Sequence, residues 1–282
     1  LNDLRRGSVR VLHSLSFVDD PTRMLRAVRF EQRFGFQIED RTLELISEAA
    51  DLMRQVSADR LRHEIDLIFL EDHAIDMLAR LEELGLLRAI HASLRWDSTW
   101  TDRLEAALFK PLPLDWELPE TIGNLPARRF LAYLLWLKQL PEETAVDVAQ
   151  RLRLSRNFVH ALQSTHRLAR SMSEWAAIKP SQIAEKLEGL SPLALYAMRL
   201  DGLPAILDAF LDQYIHRWRK IEPFTGGEDL RLLGVQPGPA YRDILAKLRS
   251  AWINGEIASA EAEQDMLSNL LKETSSAHDR SD

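Results

Sequence analysis

Residues 19–30 read DDPTRMLRAVRF, and this stretch sets the helical character of the chain. Asp followed by Pro is typical of a helix start, because the carboxylate caps free backbone N–H groups and Pro fits the first helical position. Beyond it, apolar residues recur every three or four positions among arginines, as in a helix that buries one face. We therefore predict an amphipathic helix over residues 23–36.

The same periodicity continues along the chain. It predicts helices over residues 41–56 and 71–84, the second ended by Gly85, and a further helix after Ser57. Only residues 8–18 alternate between apolar and polar in the manner of a strand. The sequence therefore predicts an all-α protein with a short N-terminal strand.

The composition excludes several classes of protein. The chain has 282 residues, a formal net charge of −7 and no cysteine, so it has neither a disulfide scaffold nor a Cys-ligated metal site nor a thiol nucleophile. No apolar run approaches the length of a membrane span, and no signal peptide is recognisable. We expect a cytoplasmic protein that does not bind membranes.

Positive charge is concentrated in two parts of this acidic chain. Residues 1–33 contain seven Arg and four acidic residues, and residues 124–170 contain eight basic and three acidic residues. Most of these cations are Arg, whose planar guanidinium suits phosphates and base edges. The two stretches are candidate nucleic-acid contacts, although exposed helix faces often carry Arg without such a function.

Asp20 and Arg23 lie three residues apart at the predicted helix start. A carboxylate and a guanidinium at this spacing can present an acceptor and a donor to one ligand edge. The acid would accept from the exocyclic amino group of cytosine or adenine, and the Arg would donate to a ring nitrogen or carbonyl. The alternative is a capped helix with a local ion pair.

Four ordered motifs resemble those of a known family. Residues 19–23 resemble the E/D-D-x-x-R nucleotide-selecting motif of the class II RNA nucleotidyltransferases, which include tRNA CCA-adding enzymes and bacterial poly(A) polymerases. Residues 3–7 (DLRRG) resemble the family's D-x-x-x-G hinge motif. Residues 59–65 (DRLRHEI) resemble its E-R-x-x-x-E-L motif, with Asp and Ile replacing the first Glu and the Leu. Residues 226–256 resemble the G-x-D-L…G-x-x-P-G-P…D-G pattern of its tail.

The resemblance implies roles for residues of the first motif. Asp20 and Arg23 would act as a protein template that binds CTP or ATP, and Asp19 would orient Arg23 or cap the helix. Arg26 and Arg29 would meet a phosphate or support the pocket, and for Arg29 a purely structural role is the alternative.

Two further motifs are given supporting roles by the resemblance. Arg60 and Glu64, four residues apart, would form an ion pair that braces the pocket helix, with plain scaffolding as the alternative. Asp3 and Gly7 would belong to the hinge.

The resemblance also implies a division of the chain into four segments. These are the end of a catalytic head with its hinge (1–18), a neck that recognises the nucleotide base (19–95), a helical body (96–200) and an RNA-binding tail (201–282). The expected partners are RNA, tRNA above all, nucleoside triphosphates and a catalytic head. Candidate phosphate contacts are Arg151, Arg153, Arg156, Arg167, Arg170, Lys247 and Arg249.

The family's reaction is attack of an RNA 3′-hydroxyl on the α-phosphate of a nucleoside triphosphate, with Mg²⁺ held by an Asp-x-Asp pair on a strand. No such strand occurs in the sequence, and its eight His residues lack metal-binding spacing. We expect a chain that lacks most of the head, has no metal site and is inactive alone. Its parent would add CCA, CC, A or poly(A); the alternative is a stand-alone helical RNA-binding or adaptor module.

Overall fold

The computed structural model describes the backbone from Asn2 to His278, and the side chains there except those of Ala176 and residues 273–278. Leu1 and residues 279–282, the outer ends of the first and last predicted segments, lie outside the described residues. The described chain is built almost entirely from helices, which confirms the all-α prediction. Within it, no helix is long and apolar enough to cross a membrane.

Short and medium α-helices follow one another along the chain. In order they are α1 (Asn2–Arg6), α2 (Ser16–Asp19), α3 (Thr22–Phe34), α4 (Asp40–Ala49), α5 (Ala58–Ile68), α6 (Ala74–Glu83), α7 (Leu86–Ile90), α8 (Thr101–Phe109), α9 (Ala127–Leu137), α10 (Glu142–Arg151), α11 (Arg156–Ser171), α12 (Pro180–Leu187), α13 (Pro192–Leu200), α14 (Ala205–His216), α15 (Gly227–Leu232), α16 (Pro239–Asn254) and α17 (Ala260–His278). Short 3-10 helices span Ala50–Gln55, Ser98–Trp100, Leu114–Trp116, Met172–Ala177 and Trp218–Lys220.

The β-structure of the described chain consists of two short strand pairs. They are β1 (Ser8–Val9) parallel to β2 (Gln37–Ile38), and β3 (Thr121–Ile122) antiparallel to β4 (Leu125–Pro126). The strand expected over residues 8–18 is confirmed only at β1, and residues 16–19 form helix α2 instead. Because β2 offers only two residues for pairing, the ladder ends after Val9.

Helix α3 buries the face that its residue spacing predicts. Met24, Leu25 and Val28 are fully buried, and each contributes about 1.5–3 kcal/mol of hydrophobic free energy. The helix ends at Gly35, whose φ of 62° is favourable for glycine. This conformation lets the N–H groups of Gly35 and Phe36 donate to carbonyl groups of the last turn.

The chain forms two compact units, Leu1–Ala169 with Leu190–Gly202 and Arg170–Gly189 with Leu203–Asp282. In the first unit, one hydrophobic core includes residues from Phe17 in α2 to Ala197 in α13. Residue 95, where the neck and body segments were expected to meet, falls inside this unit, so the two segments share one core.

The second unit has its own small core around Leu230, Leu248 and Leu267. Beside it, the buried carboxylate of Glu263 in α17 accepts four hydrogen bonds. The donors are the backbone N–H groups of Phe224 and Thr225 (3.0 and 2.7 Å), the Thr225 hydroxyl (2.6 Å) and the Trp252 indole N–H (2.6 Å).

Burial opposes ionisation of Glu263, but these hydrogen bonds outweigh burial, so the pKa of Glu263 lies below the ordinary glutamate value. A lowered pKa in the folded state means that the carboxylate stabilises the second unit at neutral pH. The contribution is lost as the pH falls through the folded-state pKa.

We expect Glu263→Gln to lower the free energy of unfolding of the second unit by about 2–3 kcal/mol at pH 7, because hydrogen bonds to a charged acceptor are lost. The difference between the wild-type and variant proteins should shrink below the ordinary glutamate pKa. Urea unfolding followed by tryptophan fluorescence measures both effects. Asp265→Asn, at an exposed position of the same helix, is the control and should change little. An equal loss in both variants would contradict the role of Glu263.

Candidate nucleotide and RNA interface

Asp20 caps helix α3 and is held from two sides. Its backbone is extended whereas Pro21 is already helical, and its Oδ1 accepts from the Thr22 N–H (3.0 Å) and hydroxyl (2.7 Å). Arg60 of α5 donates to the same oxygen at 2.6 Å. All three contacts use Oδ1, so Oδ2 is the oxygen that can accept from a ligand.

The contacts also keep Asp20 ionised. Partial burial opposes its charge, but hydrogen bonds from Thr22 and the nearby Arg60 guanidinium outweigh this effect, so the pKa of Asp20 is below its ordinary value. A carboxylate that stays ionised acts as an acceptor only. It therefore favours a ligand edge that presents an N–H donor.

Arg23 is fixed by Ser16, a buried residue of α2. Its Nη1 donates to the Ser16 carbonyl oxygen (3.2 Å) and to the Ser16 hydroxyl (3.0 Å). The other N–H groups of the guanidinium can point to a ligand. Ser16 and Thr22 were not predicted to support Asp20 and Arg23. The spacing could have identified Thr22, because the backbone N–H and hydroxyl of a residue two positions after an Asp commonly donate to its carboxylate.

A pocket of about 420 Å³ lies beside Arg23, in the size range of small-molecule sites. Its polar and aromatic lining residues are Arg10, His13, Ser16, Phe17, Arg23, Arg26 and Phe30. Three arginines in one pocket, of which Arg10 also pairs with Asp3, create a site suited to an anionic ligand. Asp20 lies outside the lining, one helical turn before Arg23.

The prediction of an ion pair between Arg60 and Glu64 is wrong. Arg60 pairs with Asp20, and Glu64 pairs with the buried Arg29 at 3.2 Å. Arg29 also lies 3.8 Å from Glu71. The physical reason is that α3 packs against α5, so Arg60 and Glu64 each meet an oppositely charged partner on the α3 side rather than each other.

The remaining residues expected near the nucleotide lie at the edge of this region. Asp19 is 3.8 Å from His13, and Asp3 pairs with Arg10 at 2.9 Å. Gly7 has a φ of 63°, a conformation that favours glycine. Arg26 is exposed and lines the pocket.

Arg151 was expected to contact RNA phosphate, and the structure corrects this role. Its guanidinium donates to the backbone carbonyl oxygens of Ile90 (3.3 Å), Met53 (3.0 Å) and Val56 (3.0 Å). It also donates to the Arg54 carbonyl oxygen at 3.3 Å. Arg151 therefore joins the end of α10 to the end of α7 and to the 3-10 helix Ala50–Gln55 with the adjoining Val56, and it serves the fold.

The other arginines of this stretch in the first unit are exposed. Arg153 is 71% exposed and pairs with Asp59, while Arg156 and Arg167 face solvent, Arg167 next to the Ser164 hydroxyl at 3.1 Å. Arg153 also has a φ of 52°, which is unfavourable for any residue other than glycine. These three side chains remain candidates for phosphate contacts.

The second unit contains the other three basic candidates. Arg170 and Lys247 are exposed. Arg249 donates to both carboxylate oxygens of Glu188 (3.0 and 2.9 Å) and to the Ile221 carbonyl oxygen (3.1 Å). Because its charge is neutralised locally, Arg249 is a poorer phosphate ligand than Lys247.

The residues that the structure describes were also considered as ligands for the Mg²⁺ that the resemblance implies. Among them, no three His, Cys, Asp or Glu side chains are grouped so that they could hold a metal ion. Within the described part of the chain, the side chains therefore do not form a group that fits Mg²⁺.

Comparisons with known proteins match this chain to one family model and to tRNA nucleotidyltransferases. Residues 35–95 match the family model described as "Probable RNA and SrmB-binding site of polymerase A". An A-adding tRNA nucleotidyltransferase of Geobacter sulfurreducens is 31% identical over 93% of this chain, and one of Halalkalibacterium halodurans is 28% identical over 94%. The chain spans 30% and 59% of the lengths of these two relatives.

A solved structure agrees with these relatives. The CCA-adding enzyme of Thermotoga maritima in complex with tRNA has a TM-score of 0.69 and 26% identity, over 95% of this chain and 66% of that one. The helical fold thus matches the helical part of a tRNA nucleotidyltransferase. The chain belongs to the class II family that contains CCA-adding enzymes and bacterial poly(A) polymerases.

The Arg60 contact gives a prediction about Asp20. We expect Arg60→Gln to raise the pKa of the Asp20 carboxyl group toward its ordinary value, because a cation beside the carboxylate is removed. Carboxyl carbon chemical shifts followed by NMR across a pH titration measure this change.

Asp97 provides an internal control, because its Oδ1 accepts from the Thr99 N–H and hydroxyl at 2.8 and 2.7 Å, as Asp20 does from Thr22, and it is these hydrogen bonds that lower the pKa of Asp97. The pKa of Asp97 should not change. If the pKa of Asp20 were unchanged in Arg60→Gln, Arg60 would not be a cause of the lowered value.

Proposed function

We propose that this chain supplies base selection and RNA binding to a template-independent RNA nucleotidyltransferase that extends tRNA 3′ ends with nucleotides from ATP or CTP. The observation that carries the proposal is the geometry of Asp20 and Arg23. Each side chain is fixed by protein contacts on one side and is available to a ligand on the other. Such fixed donors and acceptors lower the ordering cost of binding.

The pair selects bases by hydrogen-bond complementarity. Adenine and cytosine both present an exocyclic amino donor next to a ring-nitrogen acceptor, which match the Asp20 carboxylate and the Arg23 guanidinium. Uracil and guanine present a carbonyl oxygen in place of the amino group and would face the carboxylate acceptor to acceptor. A buried mismatch of this kind is strongly rejected.

The 3′-hydroxyl attack on the α-phosphate is not assigned to these residues, because they do not fit a metal site. The proposal places that step, and Mg²⁺, with a catalytic segment outside these 282 residues. Among the possible products, addition of A is favoured, because two similar relatives are A-adding enzymes.

RNA binding is assigned to the exposed basic residues that the structure leaves accessible. Arg153, Arg156 and Arg167 of the first unit are the main candidates, with Arg170 and Lys247 in the second unit. Contacts to phosphate carry no base information, which suits a substrate class that shares one shape, such as tRNA.

We expect Asp20→Ala and Arg23→Ala, in an enzyme that joins this chain to its catalytic segment, to lower the preference for ATP and CTP over GTP and UTP by about tenfold or more. Incorporation of each nucleotide into tRNA measures the preference, and tRNA affinity should change little.

Asp97→Ala is the matched control, because it removes the same capping geometry away from the site. Normal discrimination together with weakened tRNA binding in the Asp20 variant would contradict the template role.

The chain alone should add no nucleotide in the presence of Mg²⁺; robust incorporation would refute the assignment of chemistry to another segment.

The variant Arg153→Gly distinguishes a role of this residue in RNA binding from a role in stability. Glycine relieves the positive φ, so the melting temperature should stay equal or rise. Affinity for tRNA should fall, and the slope of log affinity against log salt should become shallower by about one unit, as expected for one lost phosphate contact.

Fluorescence anisotropy at several salt concentrations provides the measurement for Arg153→Gly. Glu117→Gly is the control, because Glu117 has the same backbone conformation (φ of 51°) without a positive charge, and it should not weaken tRNA binding. Unchanged affinity in folded Arg153→Gly would exclude this residue as a contact.

A further inference from the structure

A row of three phenylalanine rings extends from the pocket beside Arg23 toward the end of helix α3. Phe30 lines the pocket, the Phe34 ring centroid lies 6.1 Å from that of Phe30, and the Phe36 centroid lies 5.5 Å from that of Phe34. Phe34, the last residue of the helix, is 54% exposed. A large exposed phenylalanine in a row with two others is a feature that the fold itself does not require.

Arginines lie among these rings. The Arg33 guanidinium is over the Phe34 ring, 5.5 Å from its centroid, and also pairs with Glu71 at 3.2 Å. The exposed Arg26, one turn before Phe30, is therefore the better phosphate ligand of the two. We call Arg26, Phe30, Arg33, Phe34 and Phe36 the arginine–phenylalanine ridge. Rings that stack on bases, together with cations that meet phosphates, are the chemistry by which proteins bind single-stranded nucleic acid.

We propose that the arginine–phenylalanine ridge binds the unpaired 3′ nucleotides of the RNA that is extended, an inference that rests on the proposed function. Arg26, Phe30 and Phe34 are spaced by four residues, so they share one helix face about 12 Å long. That length matches about three nucleotides at a spacing of about 3.4 Å.

Two observations favour RNA as the occupant. The ridge is continuous with the pocket, because Arg26 and Phe30 belong to both, so an RNA end on the ridge would lead toward the base-selecting pair. In addition, a partner that made only apolar contacts would gain nothing from the guanidinium groups next to the rings. Unpaired RNA bases stack on aromatic and Arg side chains, whereas paired bases are hidden in the helix.

The test uses the 282-residue chain and two RNA hairpins with the same stem, one blunt and one with three unpaired 3′ nucleotides. Fluorescence anisotropy should show tighter binding of the hairpin with the overhang. Phe34→Ala should remove this advantage, with a loss of about tenfold for the overhang hairpin and little change for the blunt one.

Phe109→Ala is the matched control, because Phe109 is also the last residue of a helix in the first unit and is 43% exposed. This variant should keep the advantage. Thermal melting of both variants shows that each is folded.

Two conservative variants identify the kind of contact. Phe34→Tyr should keep the overhang advantage because it keeps an aromatic face, and Phe34→Leu should lose it. If Leu served as well as Phe, the ring would be an apolar contact for another protein segment, and the proposal would be wrong.

Failure of the ridge proposal is distinguishable from failure of the proposed function. If the wild-type chain binds both hairpins equally and Phe34→Ala changes neither affinity, the ridge proposal fails and RNA binding stands. If the wild-type chain binds neither hairpin, the proposed function fails, and the ridge proposal fails with it.

Discussion

The candidate site depends on ionic contacts that hold helix α3 against its neighbours. Asp20 at its start pairs with Arg60, Arg29 in its middle pairs with Glu64, and Glu31 near its end pairs with Arg80. The second pair is almost fully buried, with both side chains 11% exposed. Removal of one partner from such a pair leaves a buried charge without compensation, which costs about 3–5 kcal/mol. The orientation of α3 is therefore set by charge pairing as well as by its apolar face.

This fixed helix explains how Asp20 and Arg23 can be aimed before a ligand arrives. Each is held through one group, Oδ1 of Asp20 and Nη1 of Arg23, by residues that are not themselves predicted to touch a base. Ser16 belongs to α2 and Arg60 to α5, so the relative position of three helices defines the spacing of the acceptor and the donor. Preorganised groups of this kind discriminate between bases because a mismatched edge cannot be accommodated by rotation of the side chain.

Local positive charge in the sequence was a poor guide to which arginines can contact RNA, because many arginines have partners within the protein. Arg151 donates to four backbone carbonyl groups and Arg249 donates to Glu188, although in the sequence both resemble free surface cations. Arg153 and Arg156 come from the same short stretch as Arg151 and are exposed. The distinction is tertiary, since it depends on whether a carbonyl or carboxylate from a distant segment lies within reach.

The sequence by itself determined the features that depend on neighbours along the chain. The capping residue Asp20, the apolar spacing of α3 and the stop at Gly35 are local, because helix formation involves contacts three to four residues apart. The motif that carries the proposed nucleotide-selecting residues is likewise a short stretch. Tertiary structure alone decided that Arg60 meets Asp20 instead of Glu64, that Ser16 holds Arg23, and that Phe34 stays exposed. Those contacts depend on how helices pack, and residue spacing within one helix does not specify which face of another helix it will meet.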